Sequence, residues 1–123
     1  MFEVEKTYRF EAGHSLVHHD GRCKEPHGHS YILTIHLRRE TLISSGPKTN
    51  MVMDFDDINK IVKPMIETYF DHRWLNDTLK IDSTTVEFMT KWIYDYLKPQ
   101  LPDLWCISMN ETASARAIYY ETK

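Results

Sequence analysis

Apolar residues alternate with polar ones from Phe2 to about His14: Phe2, Val4, Tyr8, Phe10 and Ala12 share one parity, and Lys6 interrupts it. Successive side chains point to opposite faces of a strand, so this pattern predicts a strand with one face turned to a core. A polar loop, 17–26, follows. A second run, from His29 to about Arg39, sets Tyr31, Leu33, Ile35 and Leu37 on one face, with Ser30, Thr34, His36 and Arg38 mostly on the other. The two runs are expected to pair as an antiparallel ribbon. After the turn-rich segment 44–50 the period changes. Phe55, Ile58, Ile61, Val62, Met65, Ile66 and Tyr69 recur at helical spacing, and Asp56 and Asp57 fall in the first turn, where the helix dipole favours acids. Pro64 should kink or split that helix. A loop over 70–82 leads to a second helix, predicted to start at Thr84 with Glu87 three residues on as a capping box. Phe88, Met89, Trp92, Ile93, Tyr96 and Leu97 form its buried stripe, and Pro99 and Pro102 end it. Two last strands, 104–111 and 116–121, complete the order β-β-α-α-β-β. This predicts an α+β fold: an antiparallel sheet with two helices on one face.

Composition narrows the function classes. A chain of 123 residues is read as one domain, 1–123, able to bury a real core. Lys and Arg number 15 against 18 Asp and Glu, a formal net charge of −3, and no basic cluster is long enough to track a phosphate backbone. Nucleic acid is therefore set aside as a partner. No apolar run approaches membrane-spanning length, and acids stand near the N-terminus where a signal peptide needs an apolar segment, so a cytoplasmic protein is expected. Two cysteines make no disulfide framework. Cys106, in an apolar strand, reads as a small core residue. Cys23 lies in a polar turn between Arg22 and Lys24, cations that favour a reactive thiolate.

The richest stretch is Cys23-Lys24-Glu25-Pro26-His27-Gly28-His29. His27 and His29 share a strand face, and Gly28 removes bulk between them. His14 ends the apolar face carrying Phe10 and Ala12. A lone histidine is by default a surface or core residue. Three imidazoles without a fourth protein ligand describe a catalytic zinc site with an open position. Asp71-His72 sets an acid beside an imidazole, as an oriented general acid–base needs, although a polar pair at a helix end would look the same. Glu111 ends a strand whose inward parity carries Trp105, Ile107 and Met109. A carboxylate there either meets a ligand's paired N–H donors or faces water. His18, His19 and His36 carry no motif, so solvent or packing is their expected fate.

Taken together, these motifs resemble the family of 6-pyruvoyltetrahydropterin and 6-carboxytetrahydropterin synthases. The resemblance rests on Phe10-Glu11-Ala12-Gly13-His14, Cys23-x-x-x-His27-Gly28-His29, Met53-Asp54-Phe55, Asp71-His72-x-x-Leu75-Asn76, Thr85-x-Glu87 and Glu111-Thr112, in the family's order and across nearly the whole chain. It implies that His14, His27 and His29 bind Zn2+, that Cys23 is the catalytic thiolate, and that Asp71 and His72 form the second acid–base group. It also implies that Glu111 anchors the pterin substrate's amino-pyrimidinone edge, with Thr85 and Glu87 beside it. The implied fold is the tunnelling fold, or T-fold, in which three subunits close a barrel and two trimers stack into a homohexamer with interfacial active sites. The gap of three residues between thiol and histidines is similar to the queuosine-pathway branch, which makes 6-carboxytetrahydropterin. The tetrahydrobiopterin branch tends to carry a longer gap. Thr84 stands where many relatives have proline, and Val86 where Ser or Thr is frequent. Glu25 lies close to the histidines, and a third branch uses a glutamate in place of the cysteine; with Cys23 present, Glu25 is read as a loop acid. The competing readings are 6-pyruvoyltetrahydropterin synthase and a non-catalytic zinc or pterin binding module.

Overall fold

The first two strands, β1 (Phe2–His14) and β2 (His27–Arg39), pair antiparallel along their full length, from Phe2 opposite Arg39 to His14 opposite His27. The computed structural model describes residues 1–122, and Lys123 lies outside them. β3 (Leu104–Asn110) adds to β2 and β4 (Arg116–Tyr119) adds to β3, both antiparallel, so the sheet order is β1-β2-β3-β4. The alternation read from sequence sets the core: Tyr31, Leu33, Ile35 and Leu37 are fully buried, with Tyr8, Phe10 and Ala12 beside them. They pack with Ile58, Val62 and Met65 of α1 (Phe55–Tyr69) and with Met89, Ile93 and Leu97 of α3 (Val86–Leu97). A four-residue helix, α2 (Leu75–Thr78), lies in the segment expected to be loop. No helix among the described residues is long and apolar enough to cross a membrane.

Several local expectations are corrected. Pro64 does not split α1, which runs unbroken to Tyr69. Both Pro64 and Lys60, whose carbonyl loses its partner, are exposed, so water can satisfy the orphan group. Phe55 is 48% exposed and stands outside the buried stripe. The cap of α3 is Thr85, whose hydroxyl accepts the Phe88 N–H at 3.1 Å, so no Thr84–Glu87 capping box forms. Thr84 is fully buried instead.

Trp105 is displaced by a bulge. Leu104 opposes Leu37 and Cys106 opposes His36, which leaves Trp105 as the extra residue. Leu104, not Trp105, therefore joins Ile107 and Met109 in the core. Cys106 is buried, but on the sheet face away from the main core, beside His36 and Ser108. His36 is packed there, with Nδ1 2.9 Å from Glu5 Oε1 and Nε2 2.9 Å from Ser108 Oγ.

Candidate metal and substrate site

Pairing of β1 with β2 assembles the three histidines. His14 stands opposite His27 and Ala12 opposite His29, so the rings gather on the core-side face where the ribbon ends. Ring centroids are 4.5 Å (His14–His27), 5.2 Å (His14–His29) and 4.9 Å (His27–His29) apart. One ring nitrogen from each lies within 4.8 Å of the others, and among the described residues no other such group of donors forms. Glycine at position 28 answers to the neighbouring strand: a Cβ there would sit 3.1 Å from the Ala12 carbonyl oxygen.

Hydrogen bonds fix which nitrogens are free. The Thr84 carbonyl takes the His14 Nδ1–H at 2.9 Å, with Thr84 Oγ1 at 3.0 Å from the same nitrogen. The Glu25 carbonyl takes the His27 Nδ1–H at 2.7 Å. A carbonyl can only accept, so both rings carry a proton on Nδ1, and it is Nε2 that each neutral ring would offer to a metal. The Tyr31 hydroxyl lies 3.4 Å from His14 Nε2. His29 Nε2 is buried with no hydrogen-bond partner, although Glu111 Oε1 lies 3.2 Å away outside bonding geometry. Burial holds His14 below the ordinary imidazole range, with the neighbouring His27 and His29 adding to the effect against the Thr84 carbonyl and Glu111. Burial also lowers His29, opposed by Glu111. Three converging ring nitrogens, one of them a buried orphan, are what a metal ligand set requires. Three imidazoles fit zinc with an open position.

Beside this group lies an open cleft of about 730 Å³, lined by His27 and His29, the end of β1, and His72, Arg73 and Trp74. Asp71 Oδ1 stands 3.0 Å from His72 Nδ1 and accepts the Glu11 N–H at 3.1 Å. The Glu11 amide, then His72, hold the Asp71 carboxyl below the usual carboxylate range. His72 adopts φ 57°, and its N–H donates to the Glu11 carbonyl at 2.6 Å. Trp74 packs over Gly13, where a Cβ would come within 3.2 Å of the indole.

The remaining candidates are dispersed. Cys23 lies in a single 3-10 turn (Arg22–Lys24), half-buried, with its carbonyl accepting the Leu16 N–H at 2.7 Å. Its thiol belongs neither to the ligand group nor to the cleft lining. Thr85 caps α3, and Glu87 is exposed in a separate groove with Arg116 and Tyr119. Glu111 alone of the three substrate candidates meets the histidines. Sequence reasoning missed Thr84, Asn76, Tyr31 and Trp74. Tyr31 carries the parity of His27 and His29, a signal that was legible; Thr84 was masked by its resemblance to a cap.

The architecture and the triad of histidines define a class. The chain belongs to the 6-pyruvoyl tetrahydropterin synthase family, whose sequence model matches residues 3–122, and its fold is the tunnelling fold. Its relatives include the 6-carboxy-5,6,7,8-tetrahydropterin synthase of Synechocystis sp., 34% identical over 124 residues that span 100% of this chain and 96% of that protein. The Haemophilus influenzae protein of the same name is 40% identical over 77 residues, 63% of this chain and 54% of its own length. Among solved structures, 6-pyruvoyl tetrahydropterin synthase of Caenorhabditis elegans superposes with a TM-score of 0.84 at 24% identity, covering 98% of this chain and 96% of that one.

Proposed function

We propose that this protein is a zinc-dependent 6-carboxy-5,6,7,8-tetrahydropterin synthase of queuosine (7-deazaguanine) biosynthesis, acting in the cytoplasm. It is a carbon–carbon lyase that converts 7,8-dihydroneopterin triphosphate and water into 6-carboxytetrahydropterin, acetaldehyde and triphosphate. The observation that carries the reading is the convergence of His14, His27 and His29 beside a cleft that His72 also lines. Full-length similarity to an enzyme of that name supports it.

His14, His27 and His29 hold the metal. A zinc ion bound there supplies Lewis-acid polarisation of substrate oxygens. The chain's own groups do the rest. Glu111 accepts the paired N–H donors of the pterin's amino-pyrimidinone edge and so orients the side chain. Asp71, 3.0 Å from Nδ1, orients the His72 ring so that Nε2 can take and return a proton. The Cys23 thiolate takes a proton from the other side. Thr85 and Glu87 serve the pterin from a neighbouring subunit. Their separation from the cleft within one chain, and the free sheet edges at β1 and β4, support a site completed by assembly into a homohexamer of two trimers.

A second reading, 6-pyruvoyltetrahydropterin synthase, is favoured by the family description and by the C. elegans structure. Incubation of the zinc-loaded protein with 7,8-dihydroneopterin triphosphate, with products identified by mass, separates the two. Acetaldehyde equimolar with 6-carboxytetrahydropterin is expected. Triphosphate release without acetaldehyde would select the second reading, and binding without turnover would leave a non-catalytic module.

A further inference from the structure

The Nδ1 side of His14 meets a polar clamp that the proposed chemistry does not use. His14 and Thr84 are both buried, at 1% and 0% exposure, so no water competes for the bond between them. Thr84 presents two acceptors to one N–H, its carbonyl at 2.9 Å and its hydroxyl oxygen at 3.0 Å. The Thr84 hydroxyl hydrogen is then free to reach Asn76 Oδ1, 3.5 Å away.

Asn76 is fixed at both ends. Its Oδ1 accepts the Ser15 N–H at 2.9 Å and its Nδ2 donates to the Ser15 carbonyl at 2.8 Å. The same Nδ2 reaches the Asp82 carbonyl at 3.1 Å and the Ile81 carbonyl at 3.3 Å. One side chain thus clasps the residue that follows His14 and the segment that leads into Thr84. The two segments also pair directly: Leu16 bridges Ser83, and the Val17 N–H donates to the Asp82 carbonyl at 3.3 Å. The span between the His14 ring and its acceptors is therefore set by a closed network of hydrogen bonds.

We propose that Thr84 and Asn76 are positioning residues for the His14 metal ligand. The carbonyl of Thr84 selects the Nδ1–H tautomer, its hydroxyl adds a second acceptor that holds the ring plane, and Asn76 keeps both in place. His14 Nε2 is thereby presented to His27 and His29 before any metal arrives. The inference rests on the metal centre proposed above. Groups behind a ligating histidine typically change metal affinity about 10- to 100-fold when removed.

The test compares the wild type with Thr84→Val, Thr84→Ser and Asn76→Ala. Zinc affinity is measured by competition with a chromophoric chelator, and the His14 tautomer by 15N NMR of the metal-free proteins. Thr84→Val keeps the carbonyl and the shape but loses the hydroxyl. It should bind zinc about 10-fold more weakly, with an unchanged melting temperature and the Nδ1–H tautomer retained. Thr84→Ser should recover the affinity, which a merely structural role for the residue would not require. Asn76→Ala should lose up to about 100-fold and show both tautomers. Wild-type affinity in Thr84→Val while the wild type holds zinc tightly would overturn the positioning role and leave the metal centre standing. Absence of zinc binding in the wild type would overturn the centre itself. An Nε2–H tautomer for His14 in the metal-free wild type would overturn the clamp whatever the zinc result. If Asn76→Ala does not fold, the Val and Ser pair at position 84 decides.

Discussion

Glu111 brings a carboxylate oxygen to 3.2 Å from His29 Nε2 without hydrogen-bonding to it. The residue follows β3 on the parity of Ile107 and Met109, and its own N–H closes a turn onto the Ala115 carbonyl at 3.0 Å. It is thus held at the rim of the histidine group with its acceptor oxygens uncommitted. Glu111→Gln keeps the shape but loses the charge and one acceptor. Pterin affinity should fall by about 1.5–3 kcal/mol, the worth of a charge-assisted contact, while zinc content stays at the wild-type level. Calorimetric titration with a pterin, beside metal analysis, checks both. Unchanged pterin affinity would move the anchor elsewhere, with Glu87 next.

His27 has its Nδ1–H committed to the Glu25 carbonyl at 2.7 Å, which leaves Nε2 for the proposed metal. His27→Ala leaves two imidazoles, which hold zinc poorly. The wild type should carry about one zinc per chain, in line with a single open three-ligand site, and the variant should lose it on dialysis. Full occupancy in the variant, read by atomic emission, would refute the ligand assignment.

Strand alternation carried the fold into view because one face of β2 is fully buried while the other, His36 aside, is not, so Tyr31 to Leu37 write the register directly into the sequence. The same logic placed His14, His27 and His29 together. It failed at Trp105, since a bulge shifts parity without any local sequence mark. It failed at Thr84 because two adjacent threonines offer equal caps, and only the tertiary partner, His14, decides which one turns inward. Pro64 did not split α1, because its cost depends on whether the orphaned carbonyl meets water, which periodicity does not report. A relation of Cys23, Thr85 and Glu87 to the cleft rests on family resemblance alone. No single-chain pattern brings them to it.

His72 combines a proposed chemical role with a left-handed backbone, φ 57°. Asparagine tolerates that conformation better than most residues and cannot shuttle a proton in the imidazole's manner. His72→Asn should therefore leave the melting temperature within about 1 °C, or raise it slightly, and reduce turnover roughly 10²- to 10⁴-fold, the usual share of a general acid–base. Wild-type turnover in this variant would remove His72 from the reaction.

His36 gives a stability signature independent of the site. Burial lowers its pKa below the ordinary 6.5, Arg116 adds to this, and Glu5 and Glu3 oppose it. The unfolded chain therefore binds this proton more readily than the native one. Stability is complete above the unfolded value and falls as pH drops through it toward the lowered native value. In metal-free protein, where His14 and His29 titrate in the same direction, His36→Gln should flatten that decline without abolishing it. Urea unfolding at a series of pH values below about 6.5 measures the slope; an unaltered slope would show that His36 does not contribute.

The two thiols should separate chemistry from packing. Cys106 is 4% exposed, and burial pushes its thiol up, so it is both inaccessible and poorly ionised. Cys23 is half-buried in a polar turn at the surface. Alkylation should modify Cys23 first, and bound pterin should protect it if the residue faces the assembled site. Cys106→Ala removes one buried sulfur and should cost about 1 kcal/mol of stability with turnover nearly intact. Cys23→Ala leaves little void, so the fold and the zinc should persist while turnover falls roughly 10²- to 10⁴-fold, as for loss of a general base. Acetaldehyde release, zinc content and melting temperature, measured on both variants, give opposite patterns under this assignment. Near wild-type acetaldehyde release from Cys23→Ala would end the thiolate-base mechanism and pass the proton to Glu25 or His72.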